Sequence, residues 1–316
     1  MASLVQKMLK GDKASLSKLI TLIENDHPDT ISIMKEIFPH AGRAHIIGIT
    51  GFPGAGKSTT IDRLIATYRQ KDLSVGVVAV DPSSPLSGGA ILGDRIRMMA
   101  HHKDEGVFIR SMATRGFWGG LARNTHKVME LLDAFGFDKV IVETIGVGQD
   151  EVDIMGLAHT SLLVLTPGLG DEIQAIKSGI FEVADIFVIN KIDEGDPLKT
   201  LGILELVVTT NRSGINLPRR VIMVSAKEDK NIDGLVDVLE NHHELWKRLG
   251  PEEHLKKFIG TDVIVREALM DLFKNRLGQD YDDFKRRLFN RKVNIYTEIE
   301  KIMYAKNNGT VQDFEQ

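Results

Sequence analysis

Gly51-Phe52-Pro53-Gly54-Ala55-Gly56-Lys57-Ser58 sets glycines around four free positions, then a lysine and a hydroxyl residue. That spacing suits one chemistry, the cradling of a phosphate chain. Gly51 and Gly56 let the backbone turn tightly, so that successive N–H groups point inward at phosphate oxygens. Lys57 reaches the β- and γ-phosphates, and the Ser58 hydroxyl suits Mg2+, a cation that prefers oxygen ligands.

A second set of residues bears on which base accompanies the phosphates. Ile186–Ile189 reads as a strand and ends in Asn190-Lys191-Ile192-Asp193. The Asp193 carboxylate can accept two hydrogen bonds, from guanine N1–H and from its exocyclic amine. Adenine has no such donor pair and would leave the carboxylate desolvated and unpaired. Asn190 can contact the base edge and brace the loop, while the Lys191 stem can lie over the ring. Ser225-Ala226-Lys227 follows another strand and is expected to bring a backbone N–H to guanine O6. In this order, the motifs point to GTP and GDP as ligands.

Three carboxylates complete the set. Asp81 closes the run Val75–Val80, Asp94 sits in a glycine-flanked stretch, and Glu143 closes Val140–Val142. Acids at the C-terminal ends of parallel strands lie in the ligand crevice of such sheets. There they can hold Mg2+ directly or through its waters.

These groups need elements to position them. His45–Ile49 reads as a buried strand before the glycine loop, and Ser58–Ile65 begins a helix whose N-terminal dipole favours phosphate. Further strands are predicted at Val75–Val80, Val107–Arg110, Val140–Val142, Leu162–Thr166, Ile186–Ile189 and Val221–Val224. Strands alternating with helical stretches imply a mainly parallel sheet flanked by helices. In the N-terminal region Leu16, Leu19, Ile20 and Ile23 repeat at helical spacing, and Pro28 marks a second helix start. Past Glu252 the pattern is helical again, with apolar positions such as Leu269, Leu272 and Phe273. The expected division is an N-terminal helical segment (1–40), an α/β nucleotide-binding domain (41–247) and a C-terminal helical region (248–316).

Composition excludes several classes. The 316 residues carry a formal net charge of −4, which offers nucleic acid no global attraction. Cysteine is absent, which rules out a disulfide scaffold or thiolate metal site and fits a reducing, cytoplasmic setting. No apolar run approaches the roughly 20 residues that span a bilayer, and the first residues lack the apolar stretch of a signal peptide. Neither a membrane nor nucleic acid is an expected partner.

Taken together, the motifs resemble the MeaB/ArgK family of SIMIBI-class P-loop GTPases. The resemblance is carried by Gly51–Thr59, Asp81-Pro82-Ser83-Ser84-Pro85, Ser87–Asp94, Met112-Ala113-Thr114-Arg115-Gly116, Glu143–Gln149, Pro167–Lys177 and Asn190–Asp193. It implies a P-loop NTPase sheet and a GTPase that chaperones an adenosylcobalamin-dependent acyl-CoA mutase, with C-terminal helices that serve homodimerisation. It also implies residue roles. Gly51, Pro53, Gly54, Ala55, Gly56, Lys57, Ser58 and Thr59 would bind nucleotide phosphates, with Asp81, Asp94 and Glu143 around the metal and attacking water. Asp171 and Lys177 would fall on a third switch segment that relays nucleotide state to the mutase. The family's usual His-Leu after Arg-Gly is replaced here by Phe117-Trp118.

Two rivals share parts of this pattern. A SIMIBI metallochaperone for nickel enzymes generally needs Cys or His-rich ligands, and this chain has no cysteine. A P-loop kinase, a label attached to some of the same family, has no use for Asn-Lys-x-Asp. Val147 follows Gly146 where many regulatory GTPases place a water-orienting Gln, and Gln149 lies two positions on. Slow intrinsic hydrolysis, raised by a partner, is therefore expected. His101-His102 and His242-His243 read as solvated surface pairs, and Lys285-Arg286-Arg287 as a solvated helical face.

Overall fold

A computed structural model of the chain describes residues 2–81, 101, 103–113, 124–144, 152, 155–168, 178–210, 217–249, 255–290, 292–295 and 297–299. Seven strands form one sheet: β1 (His45–Gly51), β2 (Val75–Asp81), β3 (Val107–Ala113), β4 (Lys139–Glu143), β5 (Thr160–Leu165), β6 (Ile186–Ile189) and β7 (Arg220–Met223). Their order is β3-β2-β4-β1-β5-β6-β7, and every pairing is parallel. Each predicted strand lies on one of these, although β3 runs on to Ala113 where the apolar run suggests Arg110.

The strands read as near-continuous apolar runs because helices cover both faces. Side chains alternate from one face to the other along each strand. Val78 and Val80 of β2, with Val140 and Val142 of β4, join one core with α1 (Ala2–Leu9), α2 (Lys13–Glu24), α3 (Thr30–Ile37) and α5 (Thr125–Phe135). Ile47 and Ile49 of β1, Ile141 of β4, and Leu162 and Val164 of β5 join the opposite core. It is shared with α4 (Lys57–Gln70) and α8 (Ile232–Arg248). Leu163 and Leu165 of β5 and Phe187 and Ile189 of β6 pack with α6 (Ser178–Val183) and α7 (Leu198–Thr210).

The N-terminal helices are bound into this body. Leu16, Leu19, Ile20 and Ile23 of α2 are fully buried, and each such burial contributes about 1.5–3 kcal/mol relative to exposure. Asp12 caps α2 by accepting from Ala14 N at 3.2 Å and Ser15 N at 3.1 Å. The helix predicted at Pro28 begins at Thr30. Asp133 of α5 then accepts three backbone N–H bonds, from Gly42 (2.6 Å), Arg43 (3.0 Å) and Ala44 (2.9 Å), which fixes the chain's entry into β1.

One surface assignment is overturned. His242 and His243 are buried, 5% and 7% exposed. They lie on the inward stripe of α8 with Leu235 and Leu239, at helical spacing. The His243 ring stacks on His45, the first residue of β1, with centroids 3.8 Å apart, and His159 packs against Trp246 at 4.2 Å. Thr160 Oγ1 bonds both His45 Nε2 (2.8 Å) and His242 Nδ1 (2.9 Å). His242 Nε2 lies 3.6 Å from Asp185 Oδ1. Glu240 accepts from Lys139 Nζ at 2.6 Å and from Tyr68 Oη at 3.0 Å, while His45 Nδ1 sits 3.7 Å away, too far for a hydrogen bond. Burial pulls His45 down to about 4, and burial, with the His45 and His159 rings and Lys247 nearby, pulls His243 to about 2, so both rings are neutral. Burial alone would raise the Glu240 carboxyl. The nearby His45 and Lys139 outweigh it and bring the carboxyl to about 2.

The chain divides into two compact units, residues 1–263 and 264–316. The helix α9 spans Leu255–Leu277, and α10 spans Tyr281–Phe289. Within the second unit Phe284 is buried edge-on against Phe273, with centroids 5.5 Å apart. Lys285, Arg286 and Arg287 are exposed, as a solvated face requires. Leu269 and Leu272 of α9 are 52% and 55% exposed. Among the described residues no helix is long and apolar enough to cross a membrane.

Candidate nucleotide-binding site

The glycine loop leaves the C-terminal end of β1 and enters α4. Gly56 has a φ of +90°, in the left-handed region that favours glycine. The position is closed for a second reason, since a Cβ there would collide with the Asn190 amide. Ala55 N donates to Phe52 O at 3.1 Å and closes the turn. Lys57 is buried, and its ammonium donates to Gly51 O (2.8 Å) and Phe52 O (3.2 Å), which holds the charge at the mouth of the loop. No side chain caps the N-terminus of α4, the end whose dipole favours an anion.

Ser58 Oγ donates to Glu143 Oε1 at 2.9 Å. Glu143 ends β4, the strand beside β1, so the parallel register brings the acid next to the phosphate loop. Both side chains are buried, and both present oxygen. That donor type fits Mg2+. Among the described residues no cluster of three or more His, Asp or Glu side chains could hold a metal by itself. The Asp81 backbone closes β2 as predicted. Its side chain lies outside the described residues, as do Asp94, Val147, Gln149, Asp171, Lys177, Phe117 and Trp118.

The Asn-Lys-Ile-Asp motif leaves the C-terminal end of β6. Asn190 is 2% exposed and spans two loops: Nδ2 donates to Ala55 O at 2.8 Å, and Oδ1 accepts from Ala226 N at 3.0 Å. Its expected bracing role is present, and it extends to the Ser-Ala-Lys turn. Of the backbone N–H groups in that turn, the one of Ala226 is engaged by Asn190.

Asp193 is exposed, and the nearby Ser225 side chain holds its carboxyl below the usual range. Ser225 is itself fixed by paired backbone bonds with Lys230, at 3.1 and 2.9 Å. Lys191 adopts φ +61° and reaches Glu194 at 3.3 Å, while Lys227 lies 3.9 Å from the same carboxylate. A cleft of about 290 Å³ opens between the two motifs, lined on one side by Phe52, Pro53 and Gly54 and on the other by Lys191, Glu194 and Gly195.

Sequence reasoning missed Arg63. Its Nε donates to Ala226 O at 3.0 Å, which joins α4 to the Ser-Ala-Lys turn. The available signal was an arginine on the helix that carries Lys57, on a partly buried face.

Comparisons with known proteins agree with this geometry. A candidate GTPase of Pyrococcus abyssi is 43% identical over 309 residues, covering 95% of each chain. The GTPase ArgK of Escherichia coli is 33% identical over 303 residues, covering 91% of this chain and 89% of its own. A crystal structure described as an LAO/AO transport system kinase superposes with a TM-score of 0.67 at 26% identity, covering 96% of each chain. The family profile described as methylmalonyl Co-A mutase-associated GTPase MeaB matches residues 16–278. A seven-stranded parallel P-loop sheet with interlocked phosphate and base motifs is what such a GTPase requires, and this chain belongs to the MeaB family.

Proposed function

We propose that this GTPase is a Mg2+-dependent G-protein chaperone that gates cofactor loading and protection of an adenosylcobalamin-dependent acyl-CoA mutase. The family description supports the mutase as partner. The two hydrogen bonds of Asn190, to Ala55 and from Ala226, carry the nucleotide assignment, because they tie the phosphate loop and the base-reading turn into one receptor. In this reading Gly51, Pro53, Gly54, Ala55, Gly56, Lys57, Ser58 and Thr59 cradle the phosphates. Asn190, Lys191, Asp193, Ser225, Ala226 and Lys227 form the guanine pocket. Lys57 neutralises charge on the β- and γ-phosphates as the terminal phosphoryl group leaves.

Ser58 and Glu143, with Asp81 and Asp94, are the residues that would hold Mg2+, which would supply further charge neutralisation on the same oxygens. Glu143, bonded to Ser58 beside the phosphate loop, would also orient the attacking water. Val147 has no hydrogen-bonding side chain for that task, which supports slow intrinsic turnover raised by the partner through Asp171 and Lys177. The C-terminal helices would join two copies, and the site of action would be the cytoplasm.

The test measures GTP hydrolysis and adenosylcobalamin transfer with and without the host's mutase. The expected result is a mutase-dependent rise in GTPase rate together with nucleotide-dependent cofactor transfer. A GTPase rate indifferent to saturating mutase, with cofactor loading unaffected by nucleotide, would remove the chaperone role. Lys177→Ala should keep the basal rate and reduce the fold-activation.

A further inference from the structure

Ala226 is held through both of its backbone polar groups. Its N–H goes to Asn190 Oδ1 at 3.0 Å and its C=O to Arg63 Nε at 3.0 Å. These two partners come from different elements. Asn190 reaches it from the end of β6, Arg63 from the body of α4, whose first residues carry Lys57 and Ser58. The helix is a stiff support, since Ile61, Leu64 and Ile65 are fully buried in the core around it. The turn itself is closed by the Ser225–Lys230 backbone pair, and the Ser225 side chain lies close enough to Asp193 to lower its carboxyl. The turn held by Arg63 through Ala226 thus carries the residue beside the carboxylate that reads the base.

We propose that Arg63 is a positioning residue for guanine specificity: by holding Ala226 O it sets the base-reading turn at a fixed height over the phosphate-binding helix. The idea rests on the guanine-pocket reading given above. Its physical basis is geometric. A carboxylate discriminates between bases only when it meets both guanine donors together, and a small displacement forfeits one of them. Arg63 does not touch the nucleotide in this scheme. Within that scheme its donor, not its charge, does the positioning, because Nε is the atom that bonds the turn.

That distinction allows a clean test. In Arg63→Gln the side-chain nitrogen sits the same number of bonds from Cα as arginine Nε, so the donor survives without the charge. Arg63→Met keeps similar length and removes the donor. Calorimetric binding of GDP, inosine diphosphate (which lacks the exocyclic amine), ADP and inorganic tripolyphosphate would be compared across these variants.

The expected result is a loss of about tenfold in GDP affinity for Arg63→Met. It should come with a narrowed preference for GDP over inosine diphosphate and unchanged tripolyphosphate binding. Arg63→Gln should stay within about twofold of wild type. Wild-type GDP affinity and base preference in Arg63→Met would overturn the role of Arg63 alone. Equal losses for GDP and tripolyphosphate would also overturn it, since the defect would then lie in the phosphate loop. A wild-type protein that binds ADP as tightly as GDP would overturn the guanine pocket itself, and the Arg63 role with it.

Discussion

At the scale of single residues, the site depends on a few groups whose hydrogen bonds join separate loops. Asp193→Asn replaces an acceptor with an amide that offers a donor toward the base. Guanine keeps at most the N1–H bond and sets its amine against the new N–H donor, while xanthine, which carries a carbonyl in place of the amine, gains a complementary face. GDP affinity should fall about a hundredfold or more with a relative gain for xanthosine diphosphate, and unaltered GDP binding in calorimetry would refute the base-reading role. Asn190→Ala acts differently, because Asn190 is buried and joins two loops. Truncation orphans the Ala55 carbonyl and the Ala226 N–H together, at a cost of about 2–4 kcal/mol in unfolding free energy. Denaturant unfolding without nucleotide would reveal it, and a change below about 0.5 kcal/mol would mean that the loops hold their places unaided. The motif residues themselves were legible in the sequence, because the chemistry of phosphate and guanine restricts their types and spacing. The bonds of Asn190 were not. They close between residues up to 135 positions apart, and nothing local in the chain announces them.

At the scale of elements, strands were easier to read than the faces of helices. A strand in a parallel sheet is covered on both sides, so Ile186-Phe187-Val188-Ile189 is apolar throughout and stands out. Helix α8 misled because His242 and His243 are polar by type, yet their positions repeat the spacing of Leu235 and Leu239. The buried seam they form with His45, His159 and Trp246 predicts a pH dependence of stability. His45 has a folded pKa of about 4 against an ordinary 6.5. The unfolded chain therefore binds more protons between those values, and stability falls as pH drops through that window. His45 alone accounts for a loss of roughly 3 kcal/mol between pH 7 and pH 4. His243 shifts in the same direction. Glu240, depressed to about 2, adds a further loss below about pH 4.5. Urea midpoints at pH 7.5, 6 and 5 should decline in order, and His243→Phe, which keeps a flat ring in the stack, should flatten that decline. Identical midpoints at pH 7.5 and 5 would contradict the buried neutral state of these rings.

At the scale of the whole molecule, the exposed leucines of α9 bear on assembly. Leu269 and Leu272 lie three residues apart, on one face of the helix, and both are more than half exposed. If the C-terminal region joins two copies, Leu269→Glu with Leu272→Glu should convert a dimer to a monomer in light scattering while leaving GDP affinity near wild type. A dimer that survives both charges would place the contact elsewhere. The N-terminal helices pose the opposite case. Their apolar residues share one core with α5 and the sheet, so a chain shortened by α2 should lose the GTPase fold as well. The Gly56–Asn190 contact also bears on how such a protein can change through evolution. A side chain at 56 collides with the amide at 190, and a shorter residue at 190 releases the turn at 226. Change at either position is therefore expected to need compensation at the other, so positions 56 and 190 should vary together or not at all among descendants of this chain.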